Sequence, residues 1–368
     1  MKYYSTRNSA ERVTASQAIA KGLAPDGGLY VPETLPRLTE ALLRELMTLD
    51  YRGRASRVMK LFLEDFSEEE LASFTRAAYG ERYDTPEIAP VRQLNETTAV
   101  LELWHGPTIA FKDLALQILP HLMTTAARKN RLDREIVILT ATSGDTGKAA
   151  LEGFLDVTGT SCTVFYPLDG VSDVQRLQMV TTGGKNTHVI AVQGNFDDAQ
   201  TGVKELFASE TFAEEMNRRG KVLSSANSIN FGRLVPQIVY YFSAYADLVA
   251  QGAISCGEPV NFCVPTGNFG NILAGYYAKQ MGLPVGRLIC ASNRNKVLTD
   301  FFDTGIYSTH RLFFKTKSPS MDILVSSNLE RLLFGDEADG RDIRNGAETL
   351  FHGAGLLLRI GLVHKGQQ

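Results

Sequence analysis

Ile136-Val-Ile-Leu-Thr-Ala-Thr-Ser-Gly-Asp-Thr-Gly-Lys148 is the stretch that decides the fold predicted for this chain. Its first four residues are apolar, hydroxyl-bearing residues and glycines follow, and a helical pattern begins at Lys148. A short apolar run bounded by turn residues is typical of a strand buried on both faces of a sheet. The stretch therefore predicts a strand over 136–139, a polar loop over 140–148 and a helix over 148–154.

The same order of strand, loop and helix repeats from Ala99 onward. Other apolar runs predict strands at 100–103, 162–166, 188–192, 221–223, 260–264 and 287–291. Periodic segments predict helices at 172–180, 198–207, 234–249, 272–279 and 297–302. Such alternation predicts an α/β fold of mainly parallel open sheets flanked by helices on both faces.

The first 95 residues have a different pattern. Helical periodicity recurs near 40–47, 54–62 and 69–79, and Ser67 with Glu70 fits a capping box. We predict a mostly helical N-terminal domain without a catalytic cluster, in which the turn Asp26-Gly-Gly28 could reach a cleft.

The composition excludes several classes of partner. The 368 residues are 44% hydrophobic and 21% charged, with a formal net charge of −3, as is ordinary for a globular protein of two or three domains. Without a basic run, we expect neither a nucleic-acid nor a membrane partner. No apolar stretch has the length of a signal peptide or a membrane span, so we expect a cytoplasmic protein.

The cysteines give no sign of a metal site or of cross-links. Cys162, Cys256, Cys263 and Cys290 have neither zinc-ligand spacing nor the spacing of a disulfide framework. We interpret them as buried thiols in a reducing compartment and expect no metal.

Lys112 is the first candidate for chemistry. In Leu101-Glu-Leu-Trp-His-Gly-Pro-Thr-Ile-Ala-Phe-Lys-Asp113, a Gly-Pro turn separates a short strand from a helix that opens at Leu114. A buried lysine at such a junction loses its proton easily and can form an imine with a carbonyl cofactor. The alternative is a surface lysine paired with Asp113.

Three polar loops follow predicted strands, where ligands bind in open α/β sheets. The loop 140–148 opens a helix, so its N–H groups and hydroxyls suit a carboxylate or phosphate. It lacks the spacing of a nucleotide-binding P-loop. The alternative is a capped turn with Asp145 as the helix N-cap.

The second loop, Val264-Pro-Thr-Gly-Asn-Phe-Gly-Asn271, has glycines that let consecutive N–H groups converge on a phosphate. It does not match the dinucleotide fingerprint, so NAD is not expected. A plain tight turn is the alternative.

The third loop, 224–233, offers an amide, a hydroxyl and a guanidinium from Asn227, Ser228 and Arg233. Together these groups could hold a second anion, because the planar arginine fork bonds two oxygens at once. Asn and Ser also cap helices without any further role.

In combination, these stretches resemble the threonine synthase family within the tryptophan-synthase-like class of pyridoxal-phosphate enzymes. The resemblance runs from residue 1 to about 335. It rests on 24–28, 105–113, 141–147, 227–230 and 265–271, and most of all on His105-Gly-Pro-Thr…Phe-Lys-Asp113.

The resemblance implies roles for individual residues. Lys112 would hold pyridoxal 5′-phosphate as a Schiff base and move protons. The cofactor phosphate would bind to Gly267, Asn268, Phe269, Gly270 and Asn271. The substrate carboxylate would bind to Ser143, Gly144, Asp145 and Thr146, and the substrate phosphate to Asn227, Ser228 and Arg233.

The implied reaction is conversion of O-phospho-L-homoserine and water to L-threonine and phosphate, the last step of threonine biosynthesis. It proceeds by γ-elimination of phosphate and β-addition of water. The implied domains are 1–95, a large cofactor-binding domain of 96–133 plus 224–345, and a smaller α/β domain of 134–223. We expect a monomer or homodimer.

The tail 346–368 resembles nothing expected of the family. We interpret it as a truncated or frame-shifted reading frame, which would leave an apolar patch uncovered and no candidate for the cofactor's pyridine nitrogen. Two alternatives therefore stay open: another pyridoxal-phosphate dehydratase-type lyase, or an inactive threonine-synthase-like protein.

Overall fold

The computed structural model describes residues 1–142, 144–308 and 310–338. Up to residue 101 the elements are β1 (Tyr3–Ser5), α1 (Ala15–Lys21), β2 (Tyr30–Pro32), α2 (Glu40–Thr48), α3 (Tyr51–Phe62), α4 (Glu68–Ala78), β3 (Val91–Asn95) and β4 (Thr98–Leu101). The capping box predicted at Ser67 and Glu70 is confirmed at the start of α4.

The middle of the chain alternates helices and strands. In order these are α5 (Asp113–Leu116), α6 (Leu119–Lys129), β5 (Glu135–Ala141), α7 (Asp145–Gly153), β6 (Thr160–Pro167), α8 (Asp173–Val180), β7 (Thr187–Val192), α9 (Phe196–Ala208), α10 (Glu210–Arg218) and β8 (Lys221–Ser224). The last part contains α11 (Phe231–Ala250), β9 (Val260–Pro265), α12 (Gly270–Met281), β10 (Val285–Ala291), α13 (Val297–Thr304), a 3₁₀ turn (Pro319–Met321) and α14 (Leu329–Ala338).

A four-stranded parallel sheet with the order β7-β6-β5-β8 carries the first polar loop. Its central strand β5 is buried over 136–140, as an apolar strand between two helical layers should be. A second parallel pair is formed by β9 and β10. The predicted fold class, mainly parallel sheets flanked by helices, is confirmed.

Two strand predictions need correction. The strand expected at 100–103 is β4, which ends at Leu101 and pairs antiparallel with β3 in a hairpin. It is only half-buried, since a two-stranded hairpin has helices against one face at most. The β9–β10 pair is also less buried than predicted, because Cys263 and its register partner Ile289 are exposed on one face.

The cysteine prediction is therefore wrong in part. Cys162 is buried in β6, but Cys256 and Cys263 are exposed and Cys290 is intermediate. Within 1–142, 144–308 and 310–338, no group of His, Cys, Asp and Glu is arranged to hold a metal ion. No helix in the same residues is both long and apolar enough to cross a bilayer.

Large apolar side chains are exposed in the last described part of the chain: Ile289, Ile306, Leu312, Phe313 and Val325. The uncovered apolar patch expected from the sequence stays a prediction, because side chains exposed one by one do not make a patch. The tail 346–368, to which we attributed it, lies outside the described residues.

Candidate active site

Lys112 lies immediately before α5 and points into the protein. Its side chain is 11% exposed, and its Nζ is 3.8 Å from Asp145 Oδ2. The alternative of a surface pair with Asp113 is wrong, because the Asp113 carboxylate is fully buried and binds another residue. The Lys112 side chain is therefore mostly buried at the junction of turn and helix.

The turn that carries Lys112 is fastened at Thr108. Asp113 accepts hydrogen bonds from the Thr108 backbone N–H (2.8 Å) and hydroxyl (2.6 Å). From the other side, Lys148 Nζ donates to the Thr108 carbonyl oxygen (2.6 Å) and to Gln178 Oε1 (3.0 Å). Because Lys148 is only 7% exposed, these hydrogen bonds are buried, and they hold the turn in place.

The surroundings of Lys112 lower the pKa of its amine and so raise the neutral fraction at a given pH. Burial lowers the pKa of the Lys112 ammonium from 10.5 to about 8. This value is the net result: the cations Arg233 and Lys148 add to the lowering by burial, and the Asp145 carboxylate opposes it. An amine with such a pKa can accept and release a proton near neutral pH.

The first loop is built around Gly144 rather than Asp145. Gly144 is the N-cap of α7 with φ 136°, a conformation that favours glycine, so the alternative with Asp145 as the cap is wrong. The Asp145 side chain instead accepts from Gln175 Nε2 (3.0 Å) and faces Lys112. Thr142 Oγ1 accepts the N–H groups of Gly144 (2.9 Å) and Gly147 (3.0 Å). Ser143 lies outside the described residues.

The second loop leads into α12 without a side-chain cap. Phe269, the N-cap, has φ 65° and makes no capping hydrogen bond, so the first N–H groups of the helix are not occupied by its side chain. The loop is held from behind by Ser326 Oγ, which donates to the Gly267 carbonyl (2.5 Å), and by Asn328 N–H, which donates to the Asn268 carbonyl (3.1 Å).

Arg233, which we predicted in the third loop, lies instead in the first turn of α11 and is a buried arginine with spare donor capacity. Arg233 is 3% exposed and donates from Nη1 to the Ala226 carbonyl (2.8 Å). Its Nε has no hydrogen-bond partner among the residues described, and burial lowers the pKa of its guanidinium to about 10. A buried donor of this kind is costly unless a ligand supplies an acceptor.

The second and third loops are joined by α14, which the sequence patterns did not predict. Asn328 Nδ2 lies 3.2 Å from both the Ser228 and the Asn268 carbonyl oxygens. Arg331, 1% exposed, donates to the carbonyl oxygens of Tyr30 (3.0 Å) and Ile229 (2.6 Å). An Asn directly before Leu329 is an N-cap signal that could have revealed this helix.

The structure thus brings the predicted groups together. The charge of Arg233 acts on Lys112, and Asp145 lies beside the same amine. A Cβ placed on Gly270 would lie 3.4 Å from Asn328 Nδ2 and 3.6 Å from Ser228 Cβ, so the second and third loops are neighbours. The result is a mostly buried amine beside Asp145 of the first loop and within the electrostatic reach of Arg233.

Comparison with known proteins gives two family matches. Residues 2–79 match the family described as Threonine synthase N terminus, and residues 87–360 match the family described as Pyridoxal-phosphate dependent enzyme.

Individual relatives agree with these matches. The chain is 45% identical to threonine synthase from Pseudomonas aeruginosa over 354 residues, which cover 95% of this chain and 71% of that protein. It is 46% identical to human threonine synthase-like 1 over 328 residues, or 86% of this chain. Among solved structures, PLP-bound threonine synthase from Brucella melitensis superposes with a TM-score of 0.83 at 41% identity, covering 95% of this chain and 72% of that one.

The chain spans 44% of the length of the threonine synthase-like 1 proteins that it matches.

Proposed function

The chain belongs to the threonine synthase family of pyridoxal-phosphate-dependent enzymes, and from this premise we propose that it converts O-phospho-L-homoserine and water to L-threonine and phosphate. The proposal includes the domain division given above, with the large domain formed by 96–133 and 224–345.

The site residues fit pyridoxal 5′-phosphate. Lys112 would hold its aldehyde carbon, because the amine is buried and has a lowered pKa. Gly267, Asn268, Phe269, Gly270 and Asn271 would hold its phosphate at the uncapped start of α12, where N–H groups attract anions. When bound, the cofactor supplies an electron sink for carbanion chemistry.

The substrate would lie between the first and third loops. Gly144, Asp145 and Thr146, with Ser143, would receive the α-carboxylate at the start of α7. Asn227, Ser228 and Arg233 would hold the phosphate that leaves from the γ-carbon, and Arg233 would neutralise its growing charge. Lys112 Nζ would remove protons from the substrate carbons and return one. Asp145 lies near enough to stabilise the charged form of Lys112.

The observation that carries the proposal is the buried Arg233 guanidinium, whose Nε is unsatisfied and whose charge acts on Lys112. A simple dehydratase handles one phosphate, that of its cofactor. A second phosphate site, besides the site for the α-carboxylate, is needed only when the substrate itself carries a phosphate, and Arg233 is the candidate donor for it.

The test is release of inorganic phosphate from O-phospho-L-homoserine by protein reconstituted with pyridoxal phosphate, followed by detection of L-threonine. Turnover of L-serine or L-threonine without phosphate release from phosphohomoserine would favour the dehydratase-type lyase. Protein that binds the cofactor but turns over none of these substrates would favour the inactive threonine-synthase-like alternative.

The lowered pKa of Lys112 predicts how cofactor capture depends on pH. Only the neutral amine attacks an aldehyde, and with a pKa of about 8 roughly one amine in ten is neutral at pH 7, against about one in three thousand at the ordinary pKa. The capture rate, followed by rapid mixing of apoprotein and cofactor, should therefore rise with pH and level off above about pH 8.

Lys148→Met should move that profile. Removing a neighbouring cation raises the pKa of Lys112, so the midpoint of the capture profile shifts to higher pH. Lys185→Met, at an exposed lysine, should leave the midpoint unchanged. An unaltered midpoint in the Lys148 variant would mean that the charge of Lys148 does not reach the amine.

A further inference from the structure

Two buried tyrosines of α11 meet the side chain of Asn271, the second residue of α12. The Tyr240 hydroxyl bonds to Asn271 Oδ1, and the Tyr241 hydroxyl donates to the same oxygen (2.9 Å) and lies 3.0 Å from the Asn271 carbonyl oxygen. Both rings are at most 2% exposed. The amide oxygen of Asn271 is therefore fully occupied, because a carbonyl oxygen has two lone pairs.

The other end of the Asn271 amide is available. Among the residues that the structure describes, the Asn271 Nδ2 has no hydrogen-bond partner. This nitrogen is also not one of the fully buried side-chain atoms that lack a partner. An amide nitrogen is a donor only, so this end suits an anion. The reversed amide would donate Nδ2 to the hydroxyl oxygens and present its oxygen to the anion, which would repel it, so a bound phosphate selects the orientation described here.

Gly275 makes room for this arrangement. It lies four residues after Asn271, on the same face of α12. A Cβ at this position would be 2.8 Å from both Cε1 and Cζ of Tyr241, inside the range that real contacts avoid. The Tyr241 ring can stand under Asn271 only because position 275 has no side chain.

The tyrosine pair also connects to the third loop. Tyr240 OH lies 3.3 Å from Gln237 Oε1, and Gln237 Nε2 donates to the Arg233 carbonyl (2.8 Å). A Cβ on Gly270 would lie 3.8 Å from the same Gln237 nitrogen. The single hydrogen of the Tyr240 hydroxyl goes to Asn271 in this arrangement, so Gln237 packs beside the tyrosine on the same face of α11 and bonds to Arg233 through its own Nε2.

We propose that Tyr240 and Tyr241 are positioning residues, which hold the Asn271 amide with its N–H donors toward the cofactor phosphate. The inference rests on the proposed function, because it takes the 267–271 loop as the phosphate site. Neither hydroxyl touches the cofactor. Each acts through the orientation of Asn271.

The test compares two ligands that differ only in the phosphate. Dissociation constants for pyridoxal 5′-phosphate and for pyridoxal are measured on the wild type, Tyr240→Phe, Tyr241→Phe and the double variant. We expect each single variant to weaken pyridoxal-phosphate binding about fivefold and the double variant about twentyfold, with pyridoxal binding unchanged. Tyr245→Phe is the matched control, since that α11 hydroxyl bonds to the Gly257 N–H instead.

Equal losses for both ligands, or no loss for either, would overturn the inference. Failure of the proposed function would look different, because the wild type itself would then not bind pyridoxal phosphate through Lys112.

Gly275→Ala tests the same idea without removing a hydroxyl. The added methyl group must displace the Tyr241 ring, so the variant should lose affinity for pyridoxal phosphate but not for pyridoxal. Gly202→Ala in α9 is the matched control, because a Cβ there meets nothing within 4 Å. Thermal unfolding of both variants shows whether each is folded, and a folded Gly275 variant with unchanged ligand preference would contradict the proposal.

Discussion

We expect Lys112→Ala to lower the proposed turnover of O-phospho-L-homoserine by about a thousandfold or more. The same amine would hold the cofactor covalently and move the protons of the substrate, so its removal eliminates both tasks at once. The variant should also lose the visible absorbance of the covalently held cofactor. Both quantities are measured on protein reconstituted with pyridoxal phosphate.

Two controls separate chemistry from folding in this variant. Lys185→Ala removes an exposed lysine and should keep full activity. A small primary amine added to the Lys112→Ala protein should restore part of the turnover, since it replaces the missing base without altering the fold. Retention of both turnover and the covalent absorbance in Lys112→Ala would assign the chemistry to another residue.

We expect Arg233→Lys to lower kcat/KM for O-phospho-L-homoserine by about a hundredfold. The ammonium group keeps the charge but loses the planar fork that bonds two phosphate oxygens, and a lost donor to a developing anion typically costs this much. The same variant should turn over L-serine within a few-fold of the wild type, because that substrate carries no phosphate.

The comparison of the two substrates is what tests Arg233. Arg128→Lys is a suitable control, because the Arg128 side chain is 73% exposed on α6. Equal losses on L-serine and phosphohomoserine would show that Arg233 supports the loop through its bond to Ala226 rather than binding the substrate phosphate.

Much of the fold follows from local sequence patterns. The apolar run before the loop of Gly144 became β5, and the periodic segment after Arg233 became α11, because each pattern specifies one buried strand or helix. The hairpin of β3 and β4 was harder to predict from the sequence. Leu103 is apolar enough to extend the predicted strand, and the end of β4 at Leu101 is set by its pairing with β3.

Some parts of the candidate site could likewise be predicted from local sequence patterns, and others could not. Lys112 and the glycines of 267–271 could be predicted, because turn chemistry and helix starts are local. Lys148 and Arg331 could not, because their roles are set by carbonyl oxygens far away in sequence, such as those of Thr108 and Tyr30. The burial of these cations is decided by packing, which no short pattern encodes.

The contacts of α14 have a consequence for how the protein is made. Asn328 and Arg331 fasten loops that precede them by 60 to 103 residues, and Arg331 reaches back 301 residues to Tyr30. On the ribosome, the early part of the chain emerges long before these anchors exist. We therefore expect the cofactor to be acquired only after residue 331 has left the exit tunnel.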